Sequence, residues 1–136
     1  MSGITDLDVL LQNMEPQLRV GEFVFCTIKS SSYEVIPKLK PIACFLEDEG
    51  MTLVLNKKMA ELEGFDCTSV FKAITLTVHS SLDAVGLTAA VSNKLACRGI
   101  SANVIAAYYH DHIFVQVEKA DQALAALREF GDKVKR

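Results

Sequence analysis

From Phe71 onward the residues spell strand, helix, strand, strand, helix, and this order constrains the fold more than any other feature of the chain. Phe71 to Val78 alternates, with Ile74, Leu76 and Val78 on one face and Ala73, Thr75 and Thr77 on the other. Gly86 to Arg98 carries Leu87, Val91 and Leu95 at helical spacing, and Gly99 supplies a C-terminal stop. Ala102 to Tyr108 and His112 to Glu118 read as strands joined around Tyr109-His110-Asp111. Asp121 to Val134 closes the series as a helix with Ala123, Leu124, Leu127 and Phe130 as its apolar stripe. A strand–helix–strand crossover followed by a hairpin predicts a ferredoxin-like α+β sandwich, an antiparallel sheet with helices on one face. The other face needs cover too, because Ile105 stands beside Val104 and Phe114 beside Val115. Packing between two halves of the chain, or between subunits, would supply it.

The first half repeats this order imperfectly. Thr5 is expected to cap a helix carrying Leu7, Leu10, Leu11 and Met14, with Ile4 stapled onto Val9 and Pro16 ending it. Gly21 to Ile28 is dense in β-formers. Lys29 to Lys40 contains Ser30-Ser31-Ser32 and Pro37 and reads as loop. Ile42 to Glu47 and Met51 to Asn56 form a hairpin across Glu47-Asp48-Glu49-Gly50, and Lys57 to Leu62 a short helix stopped by Gly64. The division expected from this repeat is one unit over 1–68 and a second over 69–136.

Lys and Arg number 14 against 17 Asp and Glu, a formal charge of −3, so there is no basic face for nucleic acid. The amino terminus lacks a basic region leading into an apolar run, and no apolar stretch approaches the ~20 residues that span a bilayer. Cys26, Cys44, Cys67 and Cys97 are widely spaced, without a C-x-x-C pair, and are expected as reduced, packed thiols in a cytoplasmic protein.

One junction has the makings of a ligand loop. A strand emptying through His79-Ser80-Ser81-Leu82-Asp83-Ala84-Val85-Gly86-Leu87 into a helix presents free backbone N–H groups and a positive dipole end. A carboxylate could lie against the N–H groups around Val85, Gly86 and Leu87, and Asp83 could take an ammonium. On these residues alone, Asp83 or Ser81 as a plain helix cap is the simpler reading. Asn103 can fix a turn at the start of its strand or reach a ligand. His110-Asp111-His112 suggests metal ligation, but a polar hairpin tip is the expectation and no metal is called for. His79-Ser80 is adjacency rather than a triad, and Gly-rich phosphate loops are absent. No catalysis is expected.

The second cycle, with Ile74-x-Leu76-x-Val78, Asp83-x-x-Gly86-Leu87, Ala89-Ala90-Val91, Leu95-Ala96 and Ile100-x-x-Asn103-Val104, resembles an ACT domain. Tyr108 to Val115 is similar to a stretch in small stand-alone ACT-domain proteins, and the first half looks like a degenerate second unit. The resemblance implies a ferredoxin-like βαββα(β) fold in two units packed together, and a regulatory role in which a small molecule, commonly an amino acid, binds at the loop. It implies Ser81, Leu82, Asp83, Val85, Gly86, Leu87, Asn103 and Val104 as ligand-binding residues. Val85 stands where many members have proline. The partners it implies are an amino acid, further copies of the chain and a regulated protein, with no cofactor, nucleic acid or membrane.

Overall fold

The computed structural model describes residues 6–29, 33–78 and 85–132. It divides the chain into two compact units, one formed by Met1–Val20 with Lys72–Arg136 and the other by Gly21–Phe71. The break expected near residue 68 follows the sequence repeat; the packing instead groups the first twenty residues with the C-terminal unit. The reason is burial. Helix α1 (Leu7–Asn13) and the residue after it place Leu10 and Met14 in one core with Ile74, Leu76, Leu95, Ile113 and Leu127.

In this unit Asp6 caps α1, its Oδ1 accepting from the Val9 N–H at 3.3 Å. The expected cap at Thr5 and staple at Ile4 lie outside the described residues. Pro16 does end the helix, but it also opens a short strand that the sequence pattern did not predict, β1 (Pro16–Leu18). Strand β1 pairs antiparallel with β5 (Phe71–Leu76), Leu18 opposite Ile74 and Pro16 opposite Leu76. The Thr77 N–H and hydroxyl tie the same segment down, donating to Met14 O at 2.8 Å and to Glu15 O at 2.9 Å. After β5 come α4 (Leu87–Cys97), β6 (Asn103–Ala106), β7 (Asp111–Gln116) and α5 (Ala120–Asp132). The sheet order is β1-β5-β7-β6, with β6 and β7 antiparallel. A βαββα order thus gains its fourth strand from the start of the chain. Leu87, Val91 and Leu95 of α4, and Ala123, Ala126, Leu127 and Phe130 of α5, cover the face carrying Ile74, Leu76, Ile113 and Val115. Glu129 joins the two helices at the surface. Arg98 at 2.6 Å and Lys94 at 2.8 Å hold its carboxyl down to about 2.

In the Gly21–Phe71 unit, β2 (Phe23–Ile28), β3 (Ala43–Glu47) and β4 (Gly50–Asn56) form an antiparallel sheet with β4 central. The segment expected as loop is helical from Tyr33 to Leu39, a 3₁₀ turn followed by α2 (Ile36–Leu39). Pro37 sits in the first turn, where its missing N–H has no intrahelical partner to lose, so it opens this helix instead of breaking it. Asn56 caps α3 (Lys57–Leu62) through a 2.9 Å bond from the Lys58 N–H. Val24, Cys26, Met51, Leu53 and Leu55 build the core with Leu39 and Ala60. Burial, with Cys67 and Asp66 nearby, pushes the Cys26 thiol up, so it packs as a small apolar group. Cys44 and Cys97 depart from expectation: both are free thiols at the surface.

Candidate functional site

Among the described residues, helix α4 begins without a side-chain cap. Its N-cap is Gly86 itself, in the left-handed region at φ +100, and the first turn holds no acidic residue. The Ala90 N–H reaches Gly86 O at 2.9 Å, closing the first turn. The earlier N–H groups, with the positive end of an eleven-residue helix behind them, form the kind of surface that binds an anion. Gly86 holds the N-cap position itself, while the sequence offers Ser81 or Asp83 as plain helix caps. Ser81, Leu82 and Asp83 lie outside the described residues.

The remaining expected site residues separate into two groups. Val85 is 83 % exposed beside the helix start. Leu87 is buried in the core of this unit, so only its backbone is available to a ligand, and Val104 is partly buried against the same core. Asn103 faces away from Val104, and its Nδ2 donates to Phe114 O across the β6–β7 pair at 3.3 Å. That bond gives Asn103 a structural duty. Asn103→Ala is expected to cost about 0.5–1.5 kcal/mol, read as a lowered urea midpoint. A further neighbour was hidden from sequence reasoning: a Cβ at Gly86 would stand 3.0 Å from Leu7 Cδ2. Helix α1 therefore walls one side of the α4 start, a contact between residues too far apart in the chain for any local pattern to signal.

The His110-Asp111-His112 stretch is not the hairpin tip. Ala107 N–H bonds His110 O at 3.0 Å, leaving Tyr108-Tyr109 at the tip, and Asp111 opens β7 opposite Ala106. Alternation then sends Asp111 and His112 to opposite faces. His112 Nδ1 meets the buried Thr75 hydroxyl at 2.9 Å, whereas His110 Nδ1 lies 3.4 Å from Val78 O. Burial holds the His112 pKa below its ordinary value, helped by the charges of Arg19 and His110 and opposed by Asp111. Burial pushes the Asp111 carboxyl up, against the pull of both imidazoles. For a depressed histidine the unfolded chain binds the proton more tightly, so His112 stabilises the fold less as pH falls below about 6.5. Asp111 has the opposite sign, favouring the fold as pH falls toward its raised pKa. His112→Gln is expected to flatten the loss of stability between pH 7 and pH 5, measured by urea unfolding at each pH.

A groove of about 470 Å³ lies elsewhere in the same unit, lined by Leu11, Gln12, Glu15, Gln17, Leu127 and Arg128 among others. Among the described residues, none of the expected ligand residues lines it.

Two family models, each described as an ACT domain, match the chain end to end, one over residues 2–72 and one over 69–129. No curated protein matches the sequence. Among solved structures, a Vibrio cholerae protein of unknown function, described as a possible transport protein, is 59% identical. The match covers 89% of this chain and 92% of that one, at a TM-score of 0.82. The ligand-free regulatory subunit of aspartate kinase from Thermus thermophilus matches at TM-score 0.63 and 10% identity, covering 87% of this chain and 97% of that one. A protein from Agrobacterium tumefaciens matches at TM-score 0.62 and 14% identity, over 85% and 87% of the two chains. The latter two likenesses are of fold.

Proposed function

We propose that this chain, which belongs to the ACT-domain family, is a regulatory module whose effector is an amino acid held at the loop leading into α4. ACT domains are regulatory ligand-binding modules in general, and the effector class and the site are our reading. The observation that carries it is the start of α4: a left-handed Gly86 in the capping position, with no side chain of the described residues on the N–H groups. The effector's carboxylate accepts from the N–H groups of Leu87 and Thr88, which the helix holds in fixed orientation. Asp83 pairs with its ammonium, exposed Val85 offers an apolar contact, and Ser81, Leu82, Asn103 and Val104 complete the surroundings. No metal or cofactor and no turnover are required, and the module acts in the cytoplasm. The effector works by binding two association states, or docked and undocked states, with different affinity, since equal affinity would shift neither.

The experiment is thermal-shift screening against the common amino acids. A ligand at a hundred times its Kd adds about 2.7 kcal/mol, roughly 5–10 °C for a chain of this size. The expected result is a shift with one or a few amino acids, lost in Asp83→Ala. A second reading, an assembly module that takes no metabolite, is favoured by the engagement of the Asn103 amide with Phe114 O. Assembly indifferent to every amino acid and to Asp83→Ala would decide for it.

A further inference from the structure

Strand β3 ends its sheet: β4 pairs with one of its edges, and among the described residues no strand pairs with the other. An unpaired edge presents a row of backbone N–H and C=O groups that templates another strand. Protein edges are commonly blunted by lysine, proline or an inward charge, yet Ala43-Cys44-Phe45-Leu46-Glu47 carries none of these on its central residues. Its side chains are left to solvent instead. Phe45 is 71 % exposed, and Ile42 and Leu46 are exposed as well.

We infer that β3 is the contact through which two copies of this chain pair, antiparallel, about a two-fold axis at Cys44. The sequence around that axis is self-complementary. Setting Cys44 opposite its counterpart puts Ala43 against Phe45, small against large, and Ile42 against Leu46, aliphatic against aliphatic. It also carries Lys40 of one copy to the Glu47-Asp48-Glu49 turn of the other, twice by symmetry. Lys40 and Asp48 enter no ion pair among the described residues. The chain therefore offers an unused cation and an unused anion at opposite ends of one exposed strand. An isologous contact needs this arrangement. Pro41, which has no N–H to give, stands just outside β3 and limits the added ladder to the strand itself. The contact requires no effector, so it stands or falls apart from the ligand reading.

Sedimentation velocity on the full chain across a concentration series tests it. The expected species is a dimer. Phe45→Lys and Leu46→Lys, both at exposed positions, are expected to raise its dissociation constant at least tenfold with circular dichroism unchanged. Lys40→Asp and Asp48→Lys are each expected to weaken it, and the double exchange to restore it. Opposed residues in an antiparallel pair lie about 4.5–5.5 Å apart at Cα, inside the range a disulfide spans. Oxidised glutathione should therefore oxidise a pair of Cys44 thiols by thiol–disulfide exchange: its S–S bond breaks, a Cys44–Cys44 bond forms, and the two thiol protons end on two molecules of reduced glutathione, leaving a covalent dimer. Cys44→Ser should abolish that product, whereas Cys97→Ser should not. A monomer at every concentration would overturn the inference. So would a dimer indifferent to the β3 substitutions, or one whose cross-link depends on Cys97.

Discussion

Valine at position 86 is expected to destabilise the protein by about 1–3 kcal/mol and to remove its response to amino acids. Two effects contribute and can be ranked. Gly86 has φ +100, a conformation that costs an L residue of order 1–3 kcal/mol, and more for a β-branched one. The added Cβ would also stand 3.0 Å from Leu7 Cδ2, but that atom is the end of a flexible side chain that can swing aside. Backbone strain therefore outweighs the steric term. Gly86→Ala, which introduces the strain without the branch, should retain most of the effect. Pairing Gly86→Val with Leu7→Ala in a double-mutant cycle should recover only a minor part. Urea midpoints read the stability, and thermal shift in the presence of the identified amino acid reads the response.

A larger loss, about 2–5 kcal/mol, is expected from Gly50→Ala in the other unit. Here the obstacle is backbone: a Cβ would lie 2.6 Å from Ile28 O and 3.0 Å from Thr27 Oγ1, with φ at +155. The Thr27 hydroxyl can rotate aside, but the Ile28 carbonyl cannot. To admit the methyl, β2 and β4 must part where Ile28 faces Met51, at the end of a ladder running to Phe23 and Asn56. The damage should appear as faster amide hydrogen exchange along Met51–Asn56, while Ile113–Val115 in the other unit keep their protection. The two glycines separate two kinds of constraint. Gly86 is required chiefly by conformation, Gly50 by conformation and by space.

Elements that bury a periodic stripe were legible in the sequence. Leu87, Val91 and Leu95 marked α4, Ala123, Leu127 and Phe130 marked α5, and alternation marked β5, because the same residues that make the pattern make the core. Strand β1 was not legible. Pro-Gln-Leu is too short to alternate, and its partner Ile74-Thr75-Leu76 is far away in the chain. The helical turn at Ile36–Leu39 was hidden because proline breaks a helix interior but suits its first turn, and position within the turn is not written locally. At the candidate site the sequence marked the N–H groups around Val85, Gly86 and Leu87, and the left-handed φ with Leu7 nearby gives the reason a glycine stands among them. It did not separate Leu87 and Val104, whose side chains face the core, from Val85, whose side chain faces solvent. Alternation on β7 puts Asp111 and His112 on opposite faces once the hairpin turn falls at Tyr108-Tyr109 instead of around Tyr109-His110-Asp111.

The measurement that bears most directly on the central claim is the amide spectrum of the ¹⁵N-labelled chain, recorded while each common amino acid is titrated in. The account predicts that at least one of them produces saturable shifts centred on Gly86, Leu87 and Thr88, where the α4 N–H groups would meet a carboxylate. Shifts confined to Gln12, Gln17 and Arg128 in the groove beside α5, or none from any amino acid in folded protein, would contradict it.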